Sequence, residues 1–171
     1  RRISRAQWRC LPRRSVTANA TLSYRIYRRG LPLEHRPPSA SGGCLCGAVR
    51  YAVAADPGPI VHCHCHTCRK AHGAAFSSVM PVAREAFRWT AGDEALNRFE
   101  SSEGKFRHFC SKCGSHIMAE RESQPVVLLR LGCLDTEIEG NPLGHIWRSD
   151  CASWYSPKDV LPEYPEGFPA K

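Results

Sequence analysis

Short stretches in which apolar and polar side chains alternate dominate the chain after residue 43. Alternation with a period of two places every second side chain on the same face of the chain, and it therefore predicts half-buried β-strands. Such stretches occur at residues 48–53, 87–89 and 105–109. Apolar runs that predict more buried strands occur at residues 74–82, where Pro81 interrupts the run, at 125–131 and at 144–147.

Helical periodicity is confined to two short stretches. Residues 67–72 predict a short helix, and residues 157–160 predict a helical turn. Gly, Pro and Asp residues separate the candidate strands at intervals of roughly 10–20 residues. This pattern predicts a small, mainly β fold with one or two short helices.

Positive charge is concentrated in the first forty residues. They contain ten arginines, no lysine and a single acidic residue, Glu34, whereas residues 41–171 contain fourteen basic and fifteen acidic residues. The chain's net charge of +8 therefore hides a C-terminal part with a net charge of −1. A basic groove for nucleic acid is not expected on such a neutral domain. No apolar run approaches the ~18 residues that a membrane span requires.

We therefore predict two segments: an Arg-rich extension at residues 1–40 that is disordered or spurious, and a folded domain at residues 41–171. The extension shows no sustained apolar period of 2 or 3.6, as expected for a chain without a packed core. Its Arg-rich, acid-poor composition is also typical of an organellar transit peptide. The Pro-, Ser- and Gly-rich residues 37–43 are interpreted as a linker into the domain.

The chain has ten cysteines, and seven of them fall into three tight clusters: Cys44 and Cys46; Cys63, Cys65 and Cys68; and Cys110 and Cys113. Cysteines two or three residues apart rarely form a disulfide with each other, because the small ring strains the bond. The same spacing suits a metal ion. The three isolated cysteines, Cys10, Cys133 and Cys151, are predicted to be free thiols.

The first and third clusters together offer four thiolates, which complete the tetrahedral shell of a structural zinc site. Residues two apart in a strand point to the same side, and a glycine after Cys113 permits the tight turn that brings two thiolates onto one ion. We therefore favour a structural zinc on Cys44, Cys46, Cys110 and Cys113. Such a site contributes directly to folding.

The middle cluster then stands alone with three thiolates. Three protein ligands and an open fourth position are typical of a catalytic zinc. The sequence contains no other catalytic motif: it lacks a phosphate-binding loop, a serine–histidine–aspartate order and a paired-carboxylate motif. Cys63, Cys65 and Cys68 are therefore the candidate ligands of a second zinc.

Three alternatives to this arrangement remain open at the level of sequence. The cysteines could form a disulfide scaffold, which needs an oxidising compartment. A Cys-x-x-Cys pair could instead be redox active, which is typical of a βαβ context. A neighbouring histidine could also complete a closed shell on the middle cluster, the candidates being His62, His64, His66 and His72.

Three segments of the chain resemble the glutathione-dependent formaldehyde-activating enzyme family, which includes centromere protein V. These segments are residues 43–51, 63–70 and 109–115, and their order, spacing and flanking residues all agree with the family pattern. Leu134-Asp135, His145-Ile146-Trp147 and Trp154 agree as well. The resemblance covers about residues 42–168 and none of the Arg-rich extension.

The resemblance implies a compact Mss4-like β-tent fold that is stabilised by two bound zinc ions. It places one zinc on Cys44, Cys46, Cys110 and Cys113 and the other on Cys63, Cys65 and Cys68. It also implies carbon–sulfur lyase chemistry, in which glutathione and formaldehyde form S-hydroxymethylglutathione or a related thiol adduct is handled. The expected partners are a small thiol and a small carbonyl, and the expected compartment is the cytoplasm.

Three thiolates around one zinc dication give the site a net negative charge, which disfavours the binding of an anionic ligand at the open position. Arg69 and Lys70 follow the middle cluster directly and could offset this charge and hold a carboxylate of glutathione. They could equally form a solvated pair on the surface of a short helix. A non-catalytic zinc-binding interaction module remains the alternative function.

Overall fold

The computed structural model describes residues 38–55, 58–140 and 142–169. In this part of the chain, ten β-strands form two sheets, and the one α-helix is short. The prediction of a mainly β fold with a short helix is therefore confirmed. Most of the Arg-rich extension, and Cys10 with it, lies outside the described residues.

The smaller sheet has three antiparallel strands in the order β1-β2-β5. They are β1 (Ala40–Gly43), β2 (Arg50–Val53) and β5 (Phe87–Ala91). The interpretation of residues 37–43 as a linker is wrong for its last four residues, because β1 pairs with β2 along its whole length. The sequence did not predict this strand, because its small residues Ala, Ser and Gly show no alternation of apolar and polar side chains.

The larger sheet has seven strands in the order β10-β3-β4-β9-β8-β7-β6. All neighbours are antiparallel except β10 and β3, which are parallel. In chain order the strands are β3 (Ile60–Cys63), β4 (Ser77–Ala83), β6 (Leu96–Ser102), β7 (Lys105–Cys110), β8 (His116–Arg121), β9 (Val126–Arg130) and β10 (Pro142–Ile146). Helix α1 (His66–His72) follows β3 directly.

The strands predicted from alternation and from apolar runs are confirmed as β2, β4, β5, β7, β9 and β10. Strand β4 continues through Pro81, which pairs with Leu128 on one side only. Its register with β3 ends at Val79, so the missing N–H of Pro81 faces no ladder partner there. Helix α1 confirms the helix predicted at residues 67–72.

The helical turn expected at residues 157–160 is absent from the described chain, where only a bend at Asp159 occurs. The Asp159 carboxylate accepts a hydrogen bond from the Leu161 N–H, at 3.2 Å, and also faces His145. A short aspartate side chain that bonds the backbone two residues ahead favours such a bend over a helical turn.

The core joins both sheets. Tyr51 of the smaller sheet is almost fully buried, and its hydroxyl donates to the carbonyl oxygen of Cys133, at 3.1 Å. The larger sheet contributes buried aliphatic side chains from its central strands, namely Met80, Ile117, Val127 and Leu129. Cys44 and Cys110 belong to the same cluster, so the first candidate metal group is anchored in the core. None of the described helices is long and apolar enough to cross a membrane.

Candidate metal centres and the neighbouring cavity

The first group of thiols lies where two loops meet. Its sulfur atoms all lie within 4.8 Å of one another, and they belong to Cys44, Cys46, Cys110 and Cys113. The Cys44 and Cys46 sulfurs are 3.5 Å apart, and those of Cys46 and Cys110 are 3.8 Å apart. A tetrahedral zinc with Zn–S bonds of about 2.3 Å places its sulfurs about 3.8 Å apart. The group therefore fits a tetrahedral metal ion.

Two similar tight turns create this geometry. The Gly47 N–H donates to the Cys44 carbonyl, at 3.0 Å, and the Gly114 N–H donates to the Cys110 carbonyl, at 2.8 Å. Both glycines have a positive φ, of 78° and 74°, which a side chain would strain. Each turn therefore curls its pair of thiols toward the same point.

Hydrogen bonds stabilise the thiolate forms of two cysteines in this group, Cys113 and Cys44. The hydroxyl and the backbone of Ser115 lower the pKa of Cys113 to about 6. Burial raises the pKa of Cys44, but the Val49 N–H, 3.2 Å from the sulfur, and the neighbouring thiols outweigh it, so that the pKa is lowered. Thiolates are the form that binds a metal ion.

The second group consists of Cys63, Cys65 and Cys68, whose sulfurs also lie within 4.8 Å of one another. Cys63 ends β3, Cys65 is the N-cap of α1, and Cys68 lies on the buried face of the helix. The Cys68 N–H donates to the Cys65 sulfur, at 3.4 Å. The change from strand to helix within six residues thus turns three thiols toward one point.

No histidine of the described chain joins this group. His62 bonds the Ser78 hydroxyl, at 2.9 Å, and His64 bonds His145, at 2.8 Å. His72 packs against the ring of His116, and His66 is exposed. The alternative in which a histidine completes a closed shell therefore gains no support from the geometry.

Two buried arginines lie next to the second group, and sequence reasoning missed both. Arg107 of β7 is 2% exposed, and its Nη2 donates to the Cys68 sulfur, at 3.9 Å. Arg130, at the end of β9, is 5% exposed. The thiols of Cys63 and Cys65 lower the pKa of Cys68 against the effect of its burial, and Arg130 and Arg107 lower it further. The same interactions between thiols, together with burial, raise the pKa of Cys63.

A cavity of about 350 Å³ opens beside these three thiols. Besides the cysteines, its lining includes Lys105, Arg130, Trp147 and the acidic residue Asp150. Burial lowers the pKa of Lys105, and the charge of Arg107 lowers it further. The residues expected to offset the site's charge, Arg69 and Lys70, do not line this cavity. They line a separate cavity of about 290 Å³ together with Trp154.

Trp147 has an unusual backbone conformation at the edge of the cavity. Its φ of 60° lies in the left-handed region, which a bulky residue rarely adopts. Its N–H donates to the Glu166 carbonyl, at 2.8 Å, which ties it to the C-terminal segment. Such a conformation costs roughly 1–3 kcal/mol and persists where the surroundings enforce it, often at functional sites.

A chain of hydrogen bonds runs from the protein surface to the loop that carries the second group. The Asp159 carboxylate accepts from the His145 Nε2–H, at 3.1 Å, which leaves the His145 Nδ1 as the acceptor for the His64 Nε2–H. His64 and His145 are buried, and His64 lies between Cys63 and Cys65. The carboxylate thus fixes both histidine tautomers. In the sequence, His64 and His145 both lie within segments that matched the family pattern, but nothing indicated that they pair or that Asp159 joins them.

Two compact groups of cysteine thiols on a mainly β scaffold define a class of small proteins whose cysteine clusters can hold metal ions. Within that class, the chain belongs to the family described as glutathione-dependent formaldehyde-activating enzyme, whose model matches residues 39–150. The resemblance inferred from the three cysteine clusters is therefore confirmed. The family's name refers to glutathione and formaldehyde.

A curated relative from Aspergillus flavus carries the same family name and is 27% identical to this chain over 124 residues. The match covers 71% of this chain, which spans 59% of the relative's length. The chain is also similar to a crystal structure of a Rhodobacter sphaeroides protein, at 25% identity and a TM-score of 0.45. That similarity covers 57% of this chain and 90% of the other.

Proposed function

We propose that the protein is a zinc-dependent carbon–sulfur lyase-type enzyme that joins a small thiol to a small carbonyl, with glutathione and formaldehyde as the first pair to test. One observation carries the proposal: three thiols that could hold one metal ion border a cavity, whose charged lining residues are Lys105, Arg130 and Asp150. Three protein ligands leave a fourth position for a substrate. The four-thiol group has no such position, and its proposed role is structural.

The reaction needs no oxidant or reductant. A sulfur–carbon bond forms between the thiol and the carbonyl carbon, the carbonyl π bond opens, and the thiol proton ends on the new hydroxyl oxygen. In the reverse direction the same adduct breaks into thiol and carbonyl. A bound zinc would favour the thiolate of an incoming thiol or polarise the carbonyl oxygen.

The chain's own residues would supply charge balance and position. Three thiolates exceed the charge of a dication by one, and the guanidinium groups of Arg107 and Arg130 offset that excess. An anionic thiolate can then approach a site that would otherwise repel it. Lys105 lines the cavity near the thiols, where its ammonium can donate to a developing alkoxide oxygen.

Glutathione as the substrate and the cytoplasm as the compartment belong to the same proposal. Glutathione is abundant where thiols stay reduced, and all nine cysteines of the described chain are free. A site built from free thiols suits a reducing compartment such as the cytoplasm. We therefore propose a cytoplasmic enzyme with two zinc ions per chain.

The test combines metal analysis with exchange spectroscopy on the purified full chain. We expect about two zinc per chain and faster NMR exchange between formaldehyde and glutathione than in buffer. Cys63→Ser should abolish the acceleration, whereas Cys133→Ser, which changes a thiol outside both groups, should retain it. A wild-type protein that holds two zinc ions but does not accelerate exchange would instead favour a non-catalytic metal-binding module.

A further inference from the structure

Lys105, the first residue of β7, lines the cavity beside the three thiols. Its side chain is half-buried, and among the described residues its amino group forms no hydrogen bond and no ion pair. A lysine withdrawn from water normally has an acidic partner, because a charge that is buried without one is costly. The unpaired amino group of Lys105 is therefore a feature that the packing of the fold does not explain.

Positive charges surround Lys105. Arg107 follows it by two residues on β7, so that both side chains lie on the same face of the sheet, and Arg130 lines the same cavity. Arg121 is the residue opposite Lys105 on β8, where its guanidinium donates to the Glu103 carbonyl, at 2.7 Å. Burial and then the charge of Arg107 lower the pKa of Lys105, and nearby thiols oppose this only in part. These surroundings disfavour the ammonium form.

The acidic residues closest to Lys105 do not compensate for these charges. Asp150 also lines the cavity, but its carboxylate accepts from the His66 N–H, at 3.4 Å, at the start of α1. Glu103 lies two residues before Lys105 in the β6–β7 turn, and its side chain is exposed. Neither carboxylate forms an ion pair with Lys105 that would hold the lysine in its charged form.

A lysine in such surroundings is suited to act as a nucleophile. Its ammonium form can only donate a proton, whereas the neutral amine has a lone pair that attacks a carbonyl carbon. The nitrogen–carbon bond forms while the carbonyl π pair moves to the oxygen, which takes up the proton that the nitrogen loses. Loss of water from this carbinolamine leaves an imine, and addition of water returns the amine and the carbonyl compound. The sequence of steps needs no oxidant or reductant.

We propose that Lys105 reversibly captures a small aldehyde as an imine, so that the cavity contains a covalent carbonyl site beside the three-thiol group. This inference deepens the proposed function, because it rests on a carbonyl substrate that enters this cavity. At about 350 Å³, the cavity lies at the lower end of the range for ligand sites, which suits a small aldehyde. Capture would hold the aldehyde next to the thiols instead of leaving it free in solution.

Reductive trapping tests the inference without any turnover. Cyanoborohydride reduces an imine to a stable amine, so that ¹³C-labelled formaldehyde leaves a labelled methyl group on each lysine that has formed an imine. The zinc-loaded full chain is treated with limiting formaldehyde near neutral pH, and peptide mass spectrometry gives the initial rate of methylation at each lysine. We expect Lys105 to react at least about 10-fold faster than the exposed Lys112 and Lys158, because its amine is neutral more often. A rate at Lys105 equal to or below theirs overturns the inference.

Two matched variants check the assignment of the fast methylation. Lys105→Arg and Lys112→Arg both keep the positive charge, but a guanidinium does not form the imine. Lys105→Arg should remove the fast phase of methyl incorporation, and Lys112→Arg should retain it. A fast phase that survives in Lys105→Arg overturns the inference. If Lys105→Arg fails to fold, the rates at the individual lysines of the wild-type protein decide alone.

The outcome separates this inference from the proposed reaction. Wild-type protein that accelerates exchange between formaldehyde and glutathione, but in which Lys105 is methylated no faster than Lys112, would retain the reaction and refute the capture. Protein in which Lys105 is methylated fastest but which does not accelerate exchange would retain the carbonyl site and refute the reaction.

Discussion

Replacing Cys110 with serine is expected to destabilise the domain far more than replacing Cys63. Cys110 is completely buried, and its sulfur lies 3.8 Å from that of Cys46, which is 64 residues earlier in the chain. A metal ion on the four-thiol group would therefore join the loop after β1 to the loop after β7. Loss of one ligand would weaken a long-range link in the core.

The size of the effect follows from the number of ligands. A structural zinc contributes about 10–16 kcal/mol in zinc-finger peptides, so one ligand in four represents about 2.5–4 kcal/mol. For a domain of this size, each kcal/mol shifts Tm by about 3–5 °C. Cys110→Ser should thus lower Tm by about 8–20 °C. Cys63→Ser leaves the four-thiol group intact, so the domain should stay folded and its Tm should fall by less than that of Cys110→Ser.

Differential scanning calorimetry and metal analysis of the same preparations would measure both effects. Cys133→Ser is the matched control, because Cys133 lies outside both groups and its thiol donates to the His116 carbonyl, a bond that serine can retain. Cys63→Ser should lose one metal ion and keep the other. A structural role for the four-thiol group is refuted if Cys110→Ser retains two metal ions and the wild-type Tm, or if Cys63→Ser lowers Tm equally.

Two further predictions concern histidines. Burial, and then the charge of Arg130, lower the pKa of His72 to about 4, whereas an unfolded histidine titrates near 6.5. The unfolded chain therefore takes up this proton first, and stability falls as the pH drops from about 6.5 to 4. His72→Phe should reduce the slope of this part of the profile in urea unfolding at a series of pH values, and an unchanged slope would contradict the assignment. Asp159→Ala should allow mixed tautomers in His145 and His64, seen as shifted imidazole ¹⁵N resonances, while Asp150→Ala should leave these resonances in place.

The six strands that were predicted from the sequence are those whose apolar side chains alternate with polar ones or form a continuous apolar run. The strands β1, β3, β6 and β8 were missed for physical reasons. Strand β6 is largely exposed, so its sequence shows no apolar face. In β8 the consecutive residues Ile117, Met118 and Ala119 are all buried, which removes the alternation expected of a half-buried strand.

The division of the cysteines into a group of four and a group of three was predictable, because ligand spacing is a local property of the chain. The surroundings of the second group were not. Arg107 and Arg130 lie 39 and 62 residues after Cys68 in the sequence, and only the pairing of β7, β8 and β9 brings them beneath it. The pairing of His64 with His145 likewise depends on the parallel contact of β3 with β10.

Strand β7 carries both Arg107 and Cys110, with a shift in its register to β8 between His108 and Phe109. Any ion held by Cys110 therefore fixes the end of the strand whose middle presents Arg107 to Cys68. Metal loading is thus expected to be sequential: filling of the four-thiol group sets the position of the arginine, and only then does the three-thiol group reach its full affinity. A titration of the metal-free protein with zinc should accordingly show two ordered steps.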